Sequence, residues 1–569
     1  MLCFRLLLPV ALALAVLLLW RPAAIVASPE VTARARKFVE DHTARLRPLE
    51  VAAGLAWWNA NISGKAEDFK KKEEAQNKID AALANPAAFA QLKDLKQNIK
   101  EIDDPVLARA IEVLYLAYLE KQLDTELLKK IVAKANAVEK AFNEFRPIID
   151  GKPSTDNEVR KILKSSKDSE RRREAWEASK KVGPVVEKDL KELVRLRNEA
   201  AVKLGFKNYH AMQLFLNEQD GEQILKLFDE LDELTREPFK AAKAEIDARL
   251  AQDYQIKVED LRPWHYHDPF FQETPSVFSA DIDEPFVKAD LIDLCRRFYE
   301  GIGLPIDRVI ARSDMYEKPG KSPHAFCTDI DREGDVRVLC NVVPNAYWAA
   351  TLLHEFGHSV YSTNTDNIPP TVPYVLRCES HILTTEGVAM MFERLAKRRA
   401  FLEKMGLKVA DPAAFDETGA KMLRYQLLIF SRWCQVMLRF EKSMYENPDQ
   451  DLNKLWWDLV EKYQLVKRPA GRNAPDYASK IHIVSAPVYY HNYMMGELFA
   501  SQVHHALARR LYPGTDPEAV IYVGDRRVGD FMRERVFRPG KTLSWNQLTK
   551  HATGEELNAR AFAADFKGK

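Results

Sequence analysis

From Val31 to about Leu250 the chain repeats apolar residues at three- and four-residue steps between lysines and glutamates. KAEDFKKKEEAQNKIDAALANPAAFAQLKDLKQNIKEI, residues 65–102, shows the pattern. A 3.6-residue period gives each segment one apolar stripe, which is buried by packing helix on helix. The lysine runs, and ERRRE at 170–174, read as the solvated faces of those helices. DGKPSTDNE, residues 150–158, has the composition of a loop. With no internal repeat and no low-complexity linker, the 569 residues read as one large, mainly α domain.

The first residues depart from this pattern. MLCFRLLLPVALALAVLLLWRPAAIVAS has Arg5 in a short n-region, an apolar run from Leu6 to Leu19, and small residues around Ala27 and Ser28. The run is short for a bilayer span, so residues 1–27 are expected to be a cleaved signal peptide ahead of a domain over 28–569. The expected protein is exported, secreted or periplasmic, with no stable membrane span after cleavage. The mature chain keeps Cys295, Cys327, Cys340, Cys378 and Cys434, an odd number, so at least one stays unpaired within the chain. A formal net charge of +1 supplies no bulk attraction for nucleic acid or an anionic membrane.

The helical period gives way at SPHAFCTDIDREGDVRVLCNVV, residues 322–343. β-Branched alternation on both sides of an Asp/Gly turn predicts a hairpin. With Glu333 and Gly334 as its two turn residues, Cys327 faces Cys340, and an exported protein would close a disulfide there. DIDREG has the start of a calcium loop, but its twelfth position is Cys340 rather than Glu, which excludes that reading.

TLLHEFGHSVY, residues 351–361, follows at once. On a helix His354 and His358 stand one turn apart on one face, so both imidazoles can reach one ion, with Glu355 beside them to polarise a water. A catalytic zinc needs a third protein ligand. VLRCESHILTTEGVAMMFERL offers Glu379, 21 residues after His358, and Glu386, seven residues further and roughly on the same helical face. The chemistry leaves both open. A second cluster, DYASKIHIVSAPVYYHNYMMGELF (476–499), holds Lys480, His482, Tyr489, Tyr490, His491 and Tyr493. Pro487 is placed to start a helix on which Tyr489 and Tyr493 share a face. Such a stretch can be a plain core helix with buried tyrosines. Lys-x-His ahead of it could instead supply donors for an oxyanion and for a carboxylate.

Together these stretches resemble the peptidyl-dipeptidase A family, that of angiotensin-converting enzyme, over nearly all of the mature chain. WWNANIS (57–63), LRNEAAVKLGFKNY (196–209), the hairpin with its His-Ala, DYASKIH and FRPGKTLSWNQLTKHATGEELNARAF each resemble a stretch of that family. HIVSAPVYYHNYMMG is more similar to the oligoendopeptidases. The resemblance implies a two-lobed helical gluzincin peptidase with a deep central cleft, a small β-sheet next to the zinc helix, and lid helices within about 30–250. It implies Zn2+ held by His354, His358 and Glu379, because related families carry a ligand Glu with another Glu seven residues on, as Glu379 and Glu386 are spaced. It further implies that Glu355 deprotonates the attacking water and that His482 and Tyr493 stabilise the oxyanion. Lys480 and Tyr489 would bind the substrate C-terminus, and His324 and Ala325 the substrate backbone. The implied activity is hydrolysis of oligopeptides with release of C-terminal dipeptides. The alternatives are an oligoendopeptidase and an inactive peptide-binding protein.

Three positions depart from the family. Leu383 stands four residues after Glu379 where the family has Asp. Asn492 stands ten residues after His482 where the family has its catalytic Tyr, with Tyr493 one step later. Near RPWHYHDPFF, residues 262–271, there is no counterpart of the Gln that helps hold the substrate carboxylate in that family.

Overall fold

A computed structural model describes residues 27–275, 277 and 281–566. The expected signal peptide lies outside them but for Ala27. Helices dominate, with two small antiparallel sheets of two strands each, Ile148–Ile149 with Lys152–Pro153 and Phe326–Asp329 with Val336–Leu339. The expected mainly α architecture, with a small sheet against the HEFGH helix, is therefore what the chain adopts. No helix among the described residues is long and apolar enough to cross a membrane.

The N-terminal helices divide between two cores. Those within Pro29–Glu120 carry an apolar cluster of their own, including Phe38, Leu92, Ile111 and Tyr118, which also takes in Leu376. From the Thr125–Glu144 helix onward most of the buried apolar residues belong to the main core, while Ile330 and Leu339 pack with Trp58 in a small cluster of their own. Arg109 ties the two parts: it forks onto the Glu218 carboxylate and donates through Nε to Lys541 O at 3.1 Å. A bidentate Arg–carboxylate pair this shielded from water holds its geometry better than a surface pair.

Three helices make the frame of the site. The HEFGH helix, Ala346–Thr365, starts at Asn345, whose side chain accepts from Trp348 N at 2.8 Å. It packs against both strands of the second hairpin and against the Ile382–Glu393 helix, which in turn packs against the His491–Leu511 helix. Glycines permit the close approach. A Cβ on Gly357, inside HEFGH, would lie 2.7 Å from Ala389 Cα, and one on Gly387 would lie 2.7 Å from Gly496 O. Any larger residue would push these helices apart.

The hairpin forms as expected but in another register. Phe326 pairs with Leu339 and Cys327 with Val338, and Ile330 N donates to Asp335 O at 2.9 Å. The loop is therefore four residues, Asp331–Gly334, with Arg332 and Gly334 at positive φ (53° and 108°), rather than the two-residue turn expected. Two extra loop residues displace the partner of Cys327 by two positions, so it does not face Cys340. Cys327 and Cys340 are free thiols, as are Cys295, Cys378 and Cys434, and the expected disulfide does not form.

Candidate metal centre

His354 Nε2 and His358 Nε2 lie 3.1 Å apart. The acid that meets them is Glu386, whose Oε2 is 3.5 Å from His354 Nε2 and 3.8 Å from His358 Nε2. Tetrahedral zinc with nitrogen and oxygen ligands at about 2.0–2.1 Å requires donors separated by about 3.3–3.4 Å, so three donor atoms at these spacings fit one ion. His354, His358 and Glu386 form the one such group among the described residues.

Outer partners fix the ring orientations. His354 Nδ1 bonds Glu393 Oε2 at 2.6 Å, and His358 Nδ1 bonds Thr385 Oγ1 at 2.7 Å. Each outer nitrogen is thereby occupied, and each Nε2 faces the shared position beside Glu386, as a metal ligand needs. His354 is pushed well above its ordinary value, because Glu386 and Glu393 outweigh the burial that opposes its charge. His358 is held at about 4 by burial and by charged His354. The cluster thus concentrates positive charge on one of two touching imidazoles beside a carboxylate that burial alone would keep neutral. A cation at the three donors would take over that role.

This corrects the expected ligand set, since Glu379 does not reach the histidines. The helix that should carry both acids begins only at Ile382, capped by His381, whose Nδ1 accepts from Leu383 N at 3.1 Å. Ser380 donates to Leu543 O at 2.6 Å, and the chain before it is irregular. Glu379 sits instead by the hairpin, where its charge adds to the burial that raises Asp329, Cys327 and Cys378. Counting from Glu386, the seven-residue spacing recurs at Glu393, which holds His354. The same spacing rule, moved by one step, was the signal available. Leu383, at the family's Asp position as counted from Glu379, is fully buried in the core.

Glu355 lies beside the cluster, 7% exposed, and is raised to about 7 by burial, with Glu386 and Glu393 adding to the shift and His354 opposing it. The Cys327 backbone N–H points at it from the hairpin strand. A carboxylate near neutrality is suited to accept and return a proton. Among the described residues that strand pairs with Val336–Leu339 along one edge and with no strand along the other. His324 and Ala325 lead into it, and Ser322 N donates to Asn61 O at 2.8 Å, so WWNANIS braces this approach. Trp57 packs on Phe326 with ring centroids 4.2 Å apart.

A second wall forms around Lys480. Its Nζ donates to Gln272 Oε1 at 2.7 Å and lies 5.2 Å from the ring centres of Trp433 and Tyr490. Gln272 stands one position past RPWHYHDPFF, near which no such Gln was expected. Burial lowers Lys480 to about 8, against the attraction of Asp268. A fall from 10.5 to about 8 disfavours the ammonium by about 3 kcal/mol, which an incoming carboxylate would offset. Tyr490, not Tyr489, is the tyrosine here: its hydroxyl is 3.5 Å from Gln272 Oε1. His482 packs edge-on to Tyr490 at 5.2 Å, kept near 4 by burial and Lys480, with Nδ1 buried and unpaired. Lys480, Gln272 and His482 share a cavity of about 480 Å³ that reaches Arg160 and Arg146.

Tyr489 faces the other way. It packs edge-on to Tyr493 at 5.2 Å, and both hydroxyls are raised by burial and by the Glu386 carboxylate. Asn492 turns into the core, where its Oδ1 accepts from Gln219 at 2.6 Å, so the one-step shift to Tyr493 returns a tyrosine to the cluster side. The helix itself begins at His491 rather than at Pro487.

A family model described as "Angiotensin-converting enzyme" matches residues 29–568. Among curated proteins, the chain is 22% identical to angiotensin-converting enzyme of Sus scrofa over 94% of its own length and 42% of that protein's. It is 21% identical to the Bos taurus enzyme, also over 94% of its length and 42% of the relative's. Carboxypeptidase 1 of Bacillus subtilis (strain 168) is 23% identical over 42% of the chain and 50% of its own. The chain thus spans less than half the length of these mammalian relatives.

Proposed function

Because the chain belongs to the angiotensin-converting enzyme family of peptidases, we propose that it is a zinc-dependent peptidase that hydrolyses oligopeptides and releases C-terminal dipeptides. His354, His358 and Glu386 would hold zinc, in place of the set with Glu379. When bound, zinc supplies a Lewis acid that polarises the scissile carbonyl and acidifies a nearby water. Glu355 takes the proton from the attacking water and returns it to the leaving amine. Tyr493 and His482 donate to the oxyanion. The substrate backbone lies along the free strand edge after His324 and Ala325.

The observation that carries the dipeptide reading is the buried Lys480 side chain, whose Nζ donates to the neutral Gln272 Oε1 and, among the described residues, forms no ion pair with a carboxylate. Such a cation at the end of a peptide groove suits a C-terminal carboxylate, with Gln272 and Tyr490 beside it. One feature favours an endopeptidase: the cavity continues past Lys480 toward Arg160 and could admit further residues. Digestion of one decapeptide with a free and with an amidated C-terminus separates the two. Dipeptide products and at least about tenfold slower cleavage of the amide are expected. Equal rates and internal cuts would establish the endopeptidase.

A further inference from the structure

A buried carboxylate outside both walls holds the turn from which the tyrosines diverge. Val488 has φ +56°, a left-handed conformation that a β-branched residue rarely adopts, and it is buried. Its N–H donates to Glu441 Oε1 at 3.0 Å. Glu441 lies on the Pro412–Glu446 helix and is itself 2% exposed. The turn before is held from another helix: Arg197 Nη2 donates to Val484 O at 2.9 Å, and Arg197 Nη1 to the Tyr445 hydroxyl at 3.2 Å. Directly after Val488 the side chains part: Tyr489 lies by the Glu386 carboxylate and Tyr490 by Gln272 and Lys480, with the Tyr493 ring against both at 5.2 and 5.4 Å.

We propose that Glu441 is a positioning residue: by holding the Val488 N–H it keeps this turn left-handed, and so keeps Tyr489 and Tyr493 at the metal cluster and Tyr490 at the Lys480 wall. A backbone that relaxed to negative φ at Val488 would change the direction in which the chain enters the His491–Leu511 helix. Both walls would then lose their tyrosines together, although neither would have been touched directly. The inference rests on the peptidase reading.

The test uses the whole chain with zinc content, thermal unfolding, kcat and KM measured for a fluorogenic peptide with a free C-terminus. Glu441→Met keeps the size of the side chain and removes the acceptor, whereas Glu441→Gln keeps an oxygen for Val488. Zinc-loaded Glu441→Met is expected to lose about tenfold or more in kcat and to rise in KM. Glu441→Gln should stay within about threefold of wild type. Adding Val488→Gly to Glu441→Met should recover part of the loss, because glycine adopts positive φ freely. A folded, zinc-loaded Glu441→Met with wild-type constants overturns the proposal, as does an equal loss in Met and Gln. If Glu441→Met does not fold, Glu441→Asp keeps the carboxyl group and withdraws the acceptor by one methylene; a folded Asp variant with wild-type constants overturns it equally. Zinc-loaded wild type that cleaves no peptide overturns the peptidase reading and this inference with it, whereas active wild type with indifferent variants overturns this inference alone.

Discussion

At the metal cluster both outer imidazole nitrogens have strong partners, Glu393 for His354 and Thr385 for His358, and the inner pair converges on Glu386. Around Lys480 a buried Nζ has one neutral side-chain acceptor among the described residues, Gln272, and His482 Nδ1 has no partner. One wall is rigid and rich in donors for a cation. The other is short of negative charge and opens on a cavity. The difference separates two tasks, holding an ion permanently and taking up an anionic group that comes and goes.

The largest effect that would break this contrast comes from the base. Glu355→Gln should keep zinc and lower kcat by about 10³-fold, since the donors remain and the proton acceptor is gone. Near-wild-type turnover with full zinc would remove Glu355 from the chemistry. Next is the helix contact beneath the cluster. Gly357→Ala puts a Cβ against Ala389 Cα and should move Glu386 away from the histidines, weakening zinc binding by about tenfold or more in a chelator competition. Unchanged affinity would mean that the cluster does not depend on this close packing.

The smallest effect tests the second wall by pH. Lys480 is lowered to about 8, so its charge is present below that pH and lost above it. For peptides with a free C-terminus, kcat/KM, which reports the free enzyme, should fall toward about tenfold per pH unit above 8. Amidated peptides should lack this limb. The same fall with both substrates would assign it to another group.

Much of the first wall was legible because it is local. His354 and His358 are one turn apart on one helix, and no tertiary information is needed to bring them together. The third donor was not, because it depends on where a helix starts. His381 caps it after Glu379, and the sequence between gives no period that says so. The hairpin was legible as a hairpin, but its loop length, and with it the pairing of Cys327, was set by Arg332 and Gly334 at positive φ. Lys480 and Gln272 are 208 residues apart, and their meeting follows from tertiary packing. Tyr490 rather than Tyr489 lies beside Lys480 and Gln272 for the same reason. The left-handed Val488 turns the chain just before them, and the residue type at that position argues against such a turn.

The ligand set is tested most directly by zinc stoichiometry in two purified variants after exhaustive dialysis, Glu386→Ala and Glu379→Ala. The geometry of the cluster requires Glu386→Ala to lose its zinc and Glu379→Ala to retain it as wild type does. Zinc kept by Glu386→Ala and lost by Glu379→Ala would contradict the assignment and restore the acid that the family resemblance had implied.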